Sequence, residues 1–354
     1  MNNSTGERLI VPSHTCPVIV STMFTLTLSV ISTAAFVGNA LVALTFLKTR
    51  NLRTSTNYYI VNMALSDFLY PFLNWPLYTS EGMLTSNILI SEPWATLACK
   101  LGMYFRVVSQ VVSVLSLVLI GVDRFIAIVY PMKGVMLNVK IRVALLCASW
   151  LIPLSCGLPY AMFSGIIKVE NQTFCRFMMS DRSLTVFNGL GFVVMYLVPL
   201  ITVTVLYSII MKTLKERPPP GNLLKTRGTV DDKRRQQNKR ILKILLSIVS
   251  LFVICWTPLC AYLFLKKFYP AVFPTDRCLL LVGFTFYIFP SLSTAVNPLI
   301  LFVFSTNYNQ ALKSLLSPMF SSCKRGSKVA KRKQSGALAT QMMNIELTNT
   351  KLLD

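Results

Sequence analysis

One carboxylate in a long apolar stretch is the residue with the most chemistry to explain. Asp67 lies in the stretch 58–80, which has no other charged residue. A charge near the bilayer centre costs about 2.5 to 3.5 kcal/mol on insertion scales, so it persists only where it faces protein or water. Four polar residues lie at similar depth in other apolar stretches: Asn39, Ser113, Ser293 and Asn297. We predict that these side chains form a hydrated site for an ion such as Na⁺, and we expect no other cofactor.

A charged pair, Asp123 and Arg124, ends another apolar stretch. The carboxylate can neutralise the guanidinium while the surrounding helices are packed together. If the helices separate, the guanidinium becomes free to bind a partner, so one side chain serves two arrangements. In a later stretch, Pro258 removes a backbone hydrogen bond and predicts a kink close to Trp256. These residues indicate a conformational switch.

Residues suited to catalysis are not assembled in this sequence. We find no nucleophile, base and orienting group at useful spacings, and the sole histidine, His14, lies in the polar N-terminal segment. No set of His, Cys and carboxylate residues suggests a catalytic metal. We therefore predict that the protein is not an enzyme.

Seven apolar stretches are each long enough to cross a bilayer as a helix, which takes about 20 residues. They occupy residues 18–47, 58–80, 99–124, 143–167, 183–211, 244–265 and 279–304. With 53% hydrophobic and 14% charged residues, the composition is not that of a soluble domain. We predict an all-α membrane protein with an N-terminal tail 1–17, a seven-helix bundle 18–304, an amphipathic membrane-surface helix 305–320 and a disordered cytoplasmic tail 321–354.

The distribution of basic residues predicts the orientation of the bundle. Of the 35 Lys and Arg residues, only nine lie on the side of the N-terminus: Arg8, Lys100, Arg106, Lys168, Arg176, Arg182, Lys266, Lys267 and Arg277. Positively charged loops remain in the cytoplasm. We predict a multi-pass plasma-membrane protein with an extracellular N-terminus. The net charge of +22 then indicates contact with anionic membrane lipid, and nucleic acid is not an expected partner.

Modification sites agree with this orientation. Sequons begin at Asn2, Asn3 and Asn171, all on the predicted outer side, which makes them candidates for glycosylation. Cys99 and Cys175 also lie on the oxidising side and can pair. Such a bridge would hold the loop between spans four and five over the bundle. The remaining outer cysteines, Cys16 and Cys278, could form a second bridge.

Taken together, these residues resemble the rhodopsin-like (class A) G-protein-coupled receptors, most closely those of the peptide-receptor type. The match extends over about residues 20 to 315 in order and spacing. It includes Gly38 with Asn39, Leu65 to Asp67, the Cys99 and Cys175 pair, Asp123 to Phe125, Trp150, Pro199, Tyr207, Phe252, Cys255, Trp256, Pro258, Asn297 and Pro298. The resemblance implies an activation switch built from Asp123, Arg124, Tyr207, Phe252, Trp256, Pro258, Asn297 and Pro298.

Two positions depart from the family pattern. Leu301 stands where the family's Asn-Pro-x-x-Tyr motif has its tyrosine, so that phenol cannot meet Tyr207. Asn238 and Lys239 lie where many relatives carry an acidic partner for the arginine of the switch. Both losses motivate the hypothesis of raised basal activity, or of weaker coupling to G proteins.

The ligand is constrained by charge. Arg106 occupies the position at which aminergic receptors carry an Asp, and Ser291 the position at which opsins carry the retinal-linking Lys. A cation at position 106 repels amines, which disfavours a monoamine ligand, and Ser291 excludes a Schiff-base chromophore. Arginine can hold a carboxylate or phosphate with two hydrogen bonds, and aromatic rings around the mouth, Tyr104 among them, supply apolar area. The predicted ligand-binding residues are Arg106, Trp75, Tyr78, Gln110, Arg176, Tyr262 and Tyr287. Alternatively, Arg106 pairs with Glu81 and only braces the helices.

The inner segments suggest partners. The loop between spans five and six, 212–243, is interrupted by Pro218 to Gly221 and is expected to become helical again near Asp231. Cys323 follows the amphipathic helix next to basic residues and is a candidate for palmitoylation. Serines and threonines in the tail could be phosphorylated by receptor kinases and recruit an arrestin.

The most consistent interpretation is a receptor that binds an extracellular peptide, such as a neuropeptide, and activates heterotrimeric G proteins. An anionic lipid or a nucleotide is the alternative ligand, and signalling without any ligand is a further alternative. A transporter would be expected to show matching interruptions in two halves of the chain, and the seven stretches do not divide in that way.

Overall fold

The computed structural model describes residues 18–82, 92–130, 138–169, 172–216, 225–269 and 277–317. The first four long helices are α1 (Val18–Lys48), α2 (Ser55–Gly82), α3 (Trp94–Val129) and α4 (Val139–Phe163). We call α5 the continuous rod formed by Asp181–Phe192, a π-helical turn Val193–Leu197 and Val198–Glu216. The last helices are α6 (Lys225–Phe268), α7 (Arg277–Phe304) and α8 (Thr306–Ser317).

Five of the helices in the described ranges, α1, α3, α4, α5 and α6, are long and apolar enough to cross a membrane. A sixth candidate combines the second half of α7 with α8, which bends away from it by 96°. Helix α2 is not among these five, because it contains polar residues such as Asn62 and Asp67. Both side chains are buried in the bundle. The predicted seven-helix bundle, with a short helix at its C-terminal end, is confirmed.

The fourth predicted span was wrong at its end. We expected residues 164–167 to continue the helix, but α4 ends at Phe163. Ser164–Val169 forms a strand, β1, paired antiparallel with β2 (Gln172–Phe177). An apolar run does not distinguish helix from strand, and here the pairing of Ile166 opposite Cys175 gives the backbone its hydrogen bonds in a hairpin.

The sixth span was wrong at its start. The helix was expected to resume near Asp231, but it begins at Lys225. The whole segment 225–240 is rich in Lys, Arg and Gln, which are good helix formers. Helical structure therefore extends beyond the apolar part of α6, whereas hydropathy detects only the part that suits a membrane.

In the bundle, α3 lies centrally and contacts α2, α4 and α5, while α1 and α6 both pack against α7. Glycines permit two close approaches: a Cβ at Gly38 would lie 3.0 Å from Pro298, and one at Gly157 would lie 2.9 Å from the Tyr104 ring. Small residues at such crossings are typical of helix packing in membranes. We call the end with the α1–α2 connection the inner end, and the opposite end the outer end.

Buried amide groups connect helices in the inner half. The Asn62 side chain of α2 donates to Ser116 Oγ of α3 at 2.9 Å and to Ser149 Oγ of α4 at 3.0 Å. Its oxygen accepts from Trp150 Nε1 at 2.8 Å. Because the side chain of one asparagine on α2 forms hydrogen bonds with both α3 and α4, these bonds define how the three helices pack together.

Candidate functional site

A polar cavity lies between α2, α3, α6 and α7, near the middle of the bundle. Its volume of ≈ 20 Å³ is room for about one water-sized particle. The polar residues around it include Asp67, Ser109, Gln110, Ser113, Ser293 and Asn297, and its apolar side includes Phe252 and Trp256. The cavity therefore joins the predicted cation site to two residues of the predicted switch.

Asp67 is fully buried and is only partly satisfied. Asn297 Nδ2 donates to Asp67 Oδ2 at 2.9 Å, and Ser113 lines the same cavity. The other oxygen, Oδ1, has no hydrogen-bond partner among the described residues. A buried acceptor without a donor is costly, so the arrangement is suited to a water molecule or a small cation.

Asn39 takes no part in that cavity. Its amide donates to the Ala35 carbonyl at 2.8 Å and to the Thr294 carbonyl of α7 at 3.0 Å. Of the five residues predicted for the cation site, the structure therefore brings four together around the cavity, and the fifth ties α1 to α7. A motif position indicates that an asparagine is buried, but it does not predict which neighbouring group accepts its hydrogen bonds.

Ring contacts lead from the cavity to α5. The centroids of Phe252 and Trp256 are 5.6 Å apart, and those of Phe252 and Tyr196 are 5.9 Å apart. Tyr196 lies in the π-helical turn of α5, and its hydroxyl is 2.7 Å from Thr257 Oγ1. Pro199 follows that turn and has no N–H to donate, which favours a wider local winding. Sequence analysis identified Phe252 and Pro199 but missed Tyr196, since an aromatic in an apolar run has no distinguishing signal.

At the inner end, Asp123 is the acceptor for three side chains. Arg124 Nη2 lies 2.7 Å from Asp123 Oδ2, so the predicted ion pair is present. Thr56 Oγ1 donates to the same oxygen and Ser55 Oγ to Oδ1, each at 2.6 Å. Hydrogen bonds to an ionised acceptor are the stronger kind, so the start of α2 holds the carboxylate that holds Arg124. The two hydroxyls were not found by sequence analysis.

Three further residues of the predicted switch lie on α5, α6 and α7. Tyr207 of α5 is buried, and its hydroxyl would lie 3.9 Å from a Cβ at Gly121 of α3, one turn before Arg124. Pro298 is buried against Gly38 of α1. Pro258 lies within α6, between Trp256 and the outer end. The structure therefore distributes the predicted switch residues over α3, α5, α6 and α7.

The family model described as 7 transmembrane receptor (rhodopsin family) matches residues 38–301 of this chain. That range includes the polar cavity, the ring contacts and the Asp123–Arg124 pair. The chain belongs to this family. The receptor is also similar to individual proteins over most of its length, at low identity.

Three relatives illustrate that similarity. The receptor is 25% identical over 311 residues to the Allatostatin-A receptor of Bombyx mori, covering 84% of this chain and 80% of that protein. It is 28% identical over 308 residues to Bombesin receptor subtype-3 of Ovis aries, covering 82% and 74%. It is 25% identical over 307 residues to Neuropeptide FF receptor 2 of Mus musculus, covering 78% and 68%.

The outer end of the receptor places two predicted ligand residues on one face of α3. Arg106, half-buried, lies one turn outward from Gln110, which lines the polar cavity. Residues four apart lie on the same side of a helix, so Arg106 continues the cavity toward the outer end. Tyr262 of α6 is buried. Above them, the predicted Cys99–Cys175 disulfide is present and joins α3 to β2.

Tyr104 corrects the predicted set of aromatics around the mouth. We expected it to line the ligand site, but its hydroxyl donates to the Leu154 carbonyl of α4 at 3.1 Å. Its ring fills the space that Gly157 leaves open. The position of Tyr104 along α3 predicted its depth correctly. The rotation of α3 about its axis, which the sequence does not give, turns this side chain toward α4 and not toward the ligand site.

The departure at Leu301 is accompanied by an unusual phenol nearby. Leu301 is buried, and so is Tyr308 at the start of α8. Tyr308 Oη has no hydrogen-bond partner among the residues described here, and its ring lies edge-on to Phe302. The receptor thus lacks a phenol at the motif position and holds another one unsatisfied seven residues later.

Several predictions fall outside the described parts of the receptor. Asn2, Asn3, Asn171, Cys16 and Cys323 lie outside the described residues, as does the tail. For Trp75, Tyr78, Glu81, Arg176, Cys278 and Tyr287 only the backbone is described, so the proposed pairing of Arg106 with Glu81 and the second disulfide remain predictions.

Proposed function

We propose that this receptor binds a peptide at its outer end and activates a heterotrimeric G protein at its inner end. It would lie in the plasma membrane with its N-terminus outside. The names of the relatives support a peptide ligand, because the Allatostatin-A, bombesin and neuropeptide FF receptors are named for peptides. The observation that carries the proposal is the cavity that Gln110 and Trp256 both line, together with the ring contacts that lead from Trp256 through Phe252 to Tyr196 of α5.

At the outer end, Arg106 would hold an anionic group of the peptide, either its C-terminus or an acidic side chain. A ligand there would rest one turn above Gln110 and could press on the cavity wall that Trp256 belongs to. The shift would then pass to Phe252 and Tyr196, whose rings are in contact. An anionic lipid or a nucleotide would use the same anchor and is the alternative ligand.

At the inner end, the switch would exchange the partner of Arg124. In the arrangement described, its guanidinium is bound by Asp123. When the inner ends of α3 and α6 separate, the same group would contact a G protein that enters between them. The loss of the motif tyrosine at position 301 favours signalling without ligand as the second candidate behaviour. Receptor kinases and an arrestin would act on the C-terminal tail.

We also propose that Na⁺ binds at Asp67. The cavity has the size of one small particle, and Asp67 Oδ1 is available as a ligand. Hydroxyls of Ser113 and Ser293 line the same space and would complete an oxygen-only site, as hard cations prefer. By linkage, an ion that favours the closed bundle would weaken agonist binding.

The anionic anchor can be tested in cells that express the receptor with a panel of G proteins and are challenged with peptide, lipid and nucleotide libraries. With an active ligand in hand, Arg106→Ala should reduce potency at least tenfold, and Arg106→Lys should recover part of it. Lys100→Ala removes one positive charge from the same end of α3 and serves as the matched control.

A ligand whose acidic group has been neutralised sharpens this test. It should lose potency on the wild type but lose little more on Arg106→Ala, because the two changes remove one interaction. Additive losses, or equal potency of Arg106→Ala and wild type at equal surface expression, would remove Arg106 from the ligand site. Failure of every library together with every G protein would count against the proposed function itself.

A further inference from the structure

A groove separates the inner halves of α5 and α6. Its volume of ≈ 610 Å³ lies within the range of about 300 to 1,000 Å³ that small-ligand sites occupy. The lining residues come from one face of each helix: Met211, Leu214 and Lys215 of α5, and Leu242, Lys243, Leu246, Ser247 and Ser250 of α6. The groove is therefore large enough for part of a lipid-sized molecule.

The groove opens away from the bundle axis. All its lining residues belong to α5 and α6, whereas the polar cavity has walls from α2 and α3 as well. Met211 and Leu246 are 38% and 39% exposed, and Ser250 is exposed too. In a helix bundle that crosses a membrane, such a surface faces lipid. It is thus distinct from the inner opening beside Arg124, where a G protein would enter.

The lining is amphiphilic. Lys215 lies in the last turn of α5, and Lys243 lies in the inner part of the α6 lining of the same groove. Met211 and Leu246 follow toward the middle of the membrane, beside the hydroxyls of Ser247 and Ser250, so charge lies at the inner rim and mainly uncharged surface lies above it. This order matches a phospholipid of the inner leaflet, which has its headgroup at the rim and its acyl chains above.

The charge at the rim is available for an anion. Glu216, the nearest acid in sequence, is 3.8 Å from Lys212. Lys243 Nζ lies 5.0 Å from the centre of the Phe304 ring of α7, a cation–π contact that its side chain would exchange for a phosphate in the groove. Within the described ranges, no ion pair involves Lys215 or Lys243. Basic pockets between helices on the cytoplasmic side are suited to anionic lipid headgroups.

We propose that an anionic phospholipid binds in the α5–α6 groove, with its phosphate between Lys215 and Lys243 and an acyl chain along Met211 and Leu246. The site goes beyond the proposed function and needs neither peptide nor G protein. Because the lipid contacts both helices, its affinity changes if α6 moves away from α5. By reciprocity, and only if the proposed switch operates, the lipid then biases that switch.

The experiment is native mass spectrometry of the full-length receptor, purified in detergent and titrated with phosphatidylinositol bisphosphate or with phosphatidylcholine. Two variants probe the site: Lys215→Gln with Lys243→Gln removes the charges, and Leu246→Trp fills the groove. The control pair Lys48→Gln with Lys140→Gln removes the same charge from exposed inner-end positions of α1 and α4.

We expect the wild type to retain one anionic lipid more tightly than any phosphatidylcholine. Each lysine near the membrane surface contributes about fivefold, so the charge variant should bind that lipid about thirtyfold more weakly. Leu246→Trp should displace it with all charges intact, and the control pair should lose less than threefold. A melting curve of each variant identifies folding defects, and Lys215→Gln alone replaces the double variant if that one does not fold.

Three results would overturn the proposal. In the first, the charge variant and Leu246→Trp each retain the lipid like the wild type. In the second, the control pair loses it as strongly as the charge variant does, which would indicate only a diffuse attraction to the basic surface. In the third case, soluble inositol trisphosphate would compete as well as the lipid does, and the groove would be a site for a soluble anion. None of these results depends on whether the receptor's ligand is a peptide.

Discussion

At the scale of single residues, three buried polar groups of the receptor differ in how far their hydrogen-bonding capacity is satisfied. Asp123 accepts hydrogen bonds from three side chains. Asp67 has one oxygen bound and one without a partner among the described residues. Tyr308 holds a buried hydroxyl for which the described structure provides no acceptor. Burial of polar groups is expensive unless they are satisfied, so each condition predicts a different response to substitution.

Removal of the Thr56 hydroxyl should loosen the Arg124 switch. Thr56→Val keeps the side-chain shape but leaves Asp123 with one donor fewer, at a cost of about 1.5 to 3 kcal/mol for a hydrogen bond to a charged group. We expect higher ligand-free nucleotide exchange on a reconstituted G protein. Thr45→Val is the control, because that buried hydroxyl donates only within its own helix, to the Leu41 carbonyl. Equal basal exchange in the two variants would exclude a holding role for Thr56.

Neutralising Asp67 should abolish sensitivity to sodium. In the wild type, NaCl should reduce agonist affinity several-fold compared with choline chloride at equal ionic strength. Asp67→Asn keeps the shape but removes the charge that attracts the ion, so the two salts should give the same affinity. Radioligand binding in both salts provides the measurement, and a persistent NaCl effect in Asp67→Asn would place the ion elsewhere.

Two tyrosines should respond with opposite signs to the same substitution. Tyr308→Phe removes a hydroxyl that has no partner in the described structure, so we expect the receptor to be more stable by about 1 kcal/mol. Tyr70→Phe removes a hydroxyl 3.0 Å from Ser291 Oγ, so we expect a loss of about 1 kcal/mol. Thermal melting of the purified variants compares them. A lower melting temperature for Tyr308→Phe would reveal a partner for the phenol, such as an ordered water.

At the scale of elements, how closely two helices approach each other depends on glycines, which have no side chain. The crossing of α3 and α4 depends on Gly157, where any Cβ would meet the Tyr104 ring. On α5, by contrast, Gly189 has nothing within 4 Å of a hypothetical Cβ. Both glycines lie inside helices, so their sequence environment alone does not separate them.

The same substitution at these glycines should therefore have different outcomes. Gly157→Ala should destabilise the receptor by about 1 to 3 kcal/mol, as overpacking of a tight contact does. Gly189→Ala should be neutral or stabilising by up to about 1 kcal/mol, since alanine is the better helix former. Melting temperatures in one detergent test both, and equal effects would show that the α3–α4 contact relaxes easily.

At the scale of the whole molecule, the proposed switch requires the inner ends of α3 and α6 to move apart. Spin labels at two exposed positions, Tyr130 after α3 and Arg240 on α6, report that separation in a chain whose exposed Cys147 is replaced by Ala. Agonist together with G protein should lengthen the distance by several ångströms. A constant distance distribution under every ligand and partner would contradict the receptor mechanism proposed above.

Much of the molecule was predictable because the relevant signals are local. The number of spans follows from apolar length, which the bilayer imposes on every helix that crosses it. Asp67, Asp123 and Arg124 were identifiable because a charge in an apolar stretch is expensive wherever it points. The Cys99–Cys175 disulfide followed from the compartment and from the family pattern, and the structure contains it.

The amino-acid sequence by itself thus determined the class of fold, the depth of each polar residue and the family. Only the tertiary structure decided which groups meet. Thr56 lies 67 residues from Asp123 along the chain, and one hydroxyl among many has no signal until two helices bring it within 2.6 Å of the carboxylate. Likewise, Tyr104 packs on α4 and Asn39 on α7, because helix rotation and close packing select partners that depth alone leaves open.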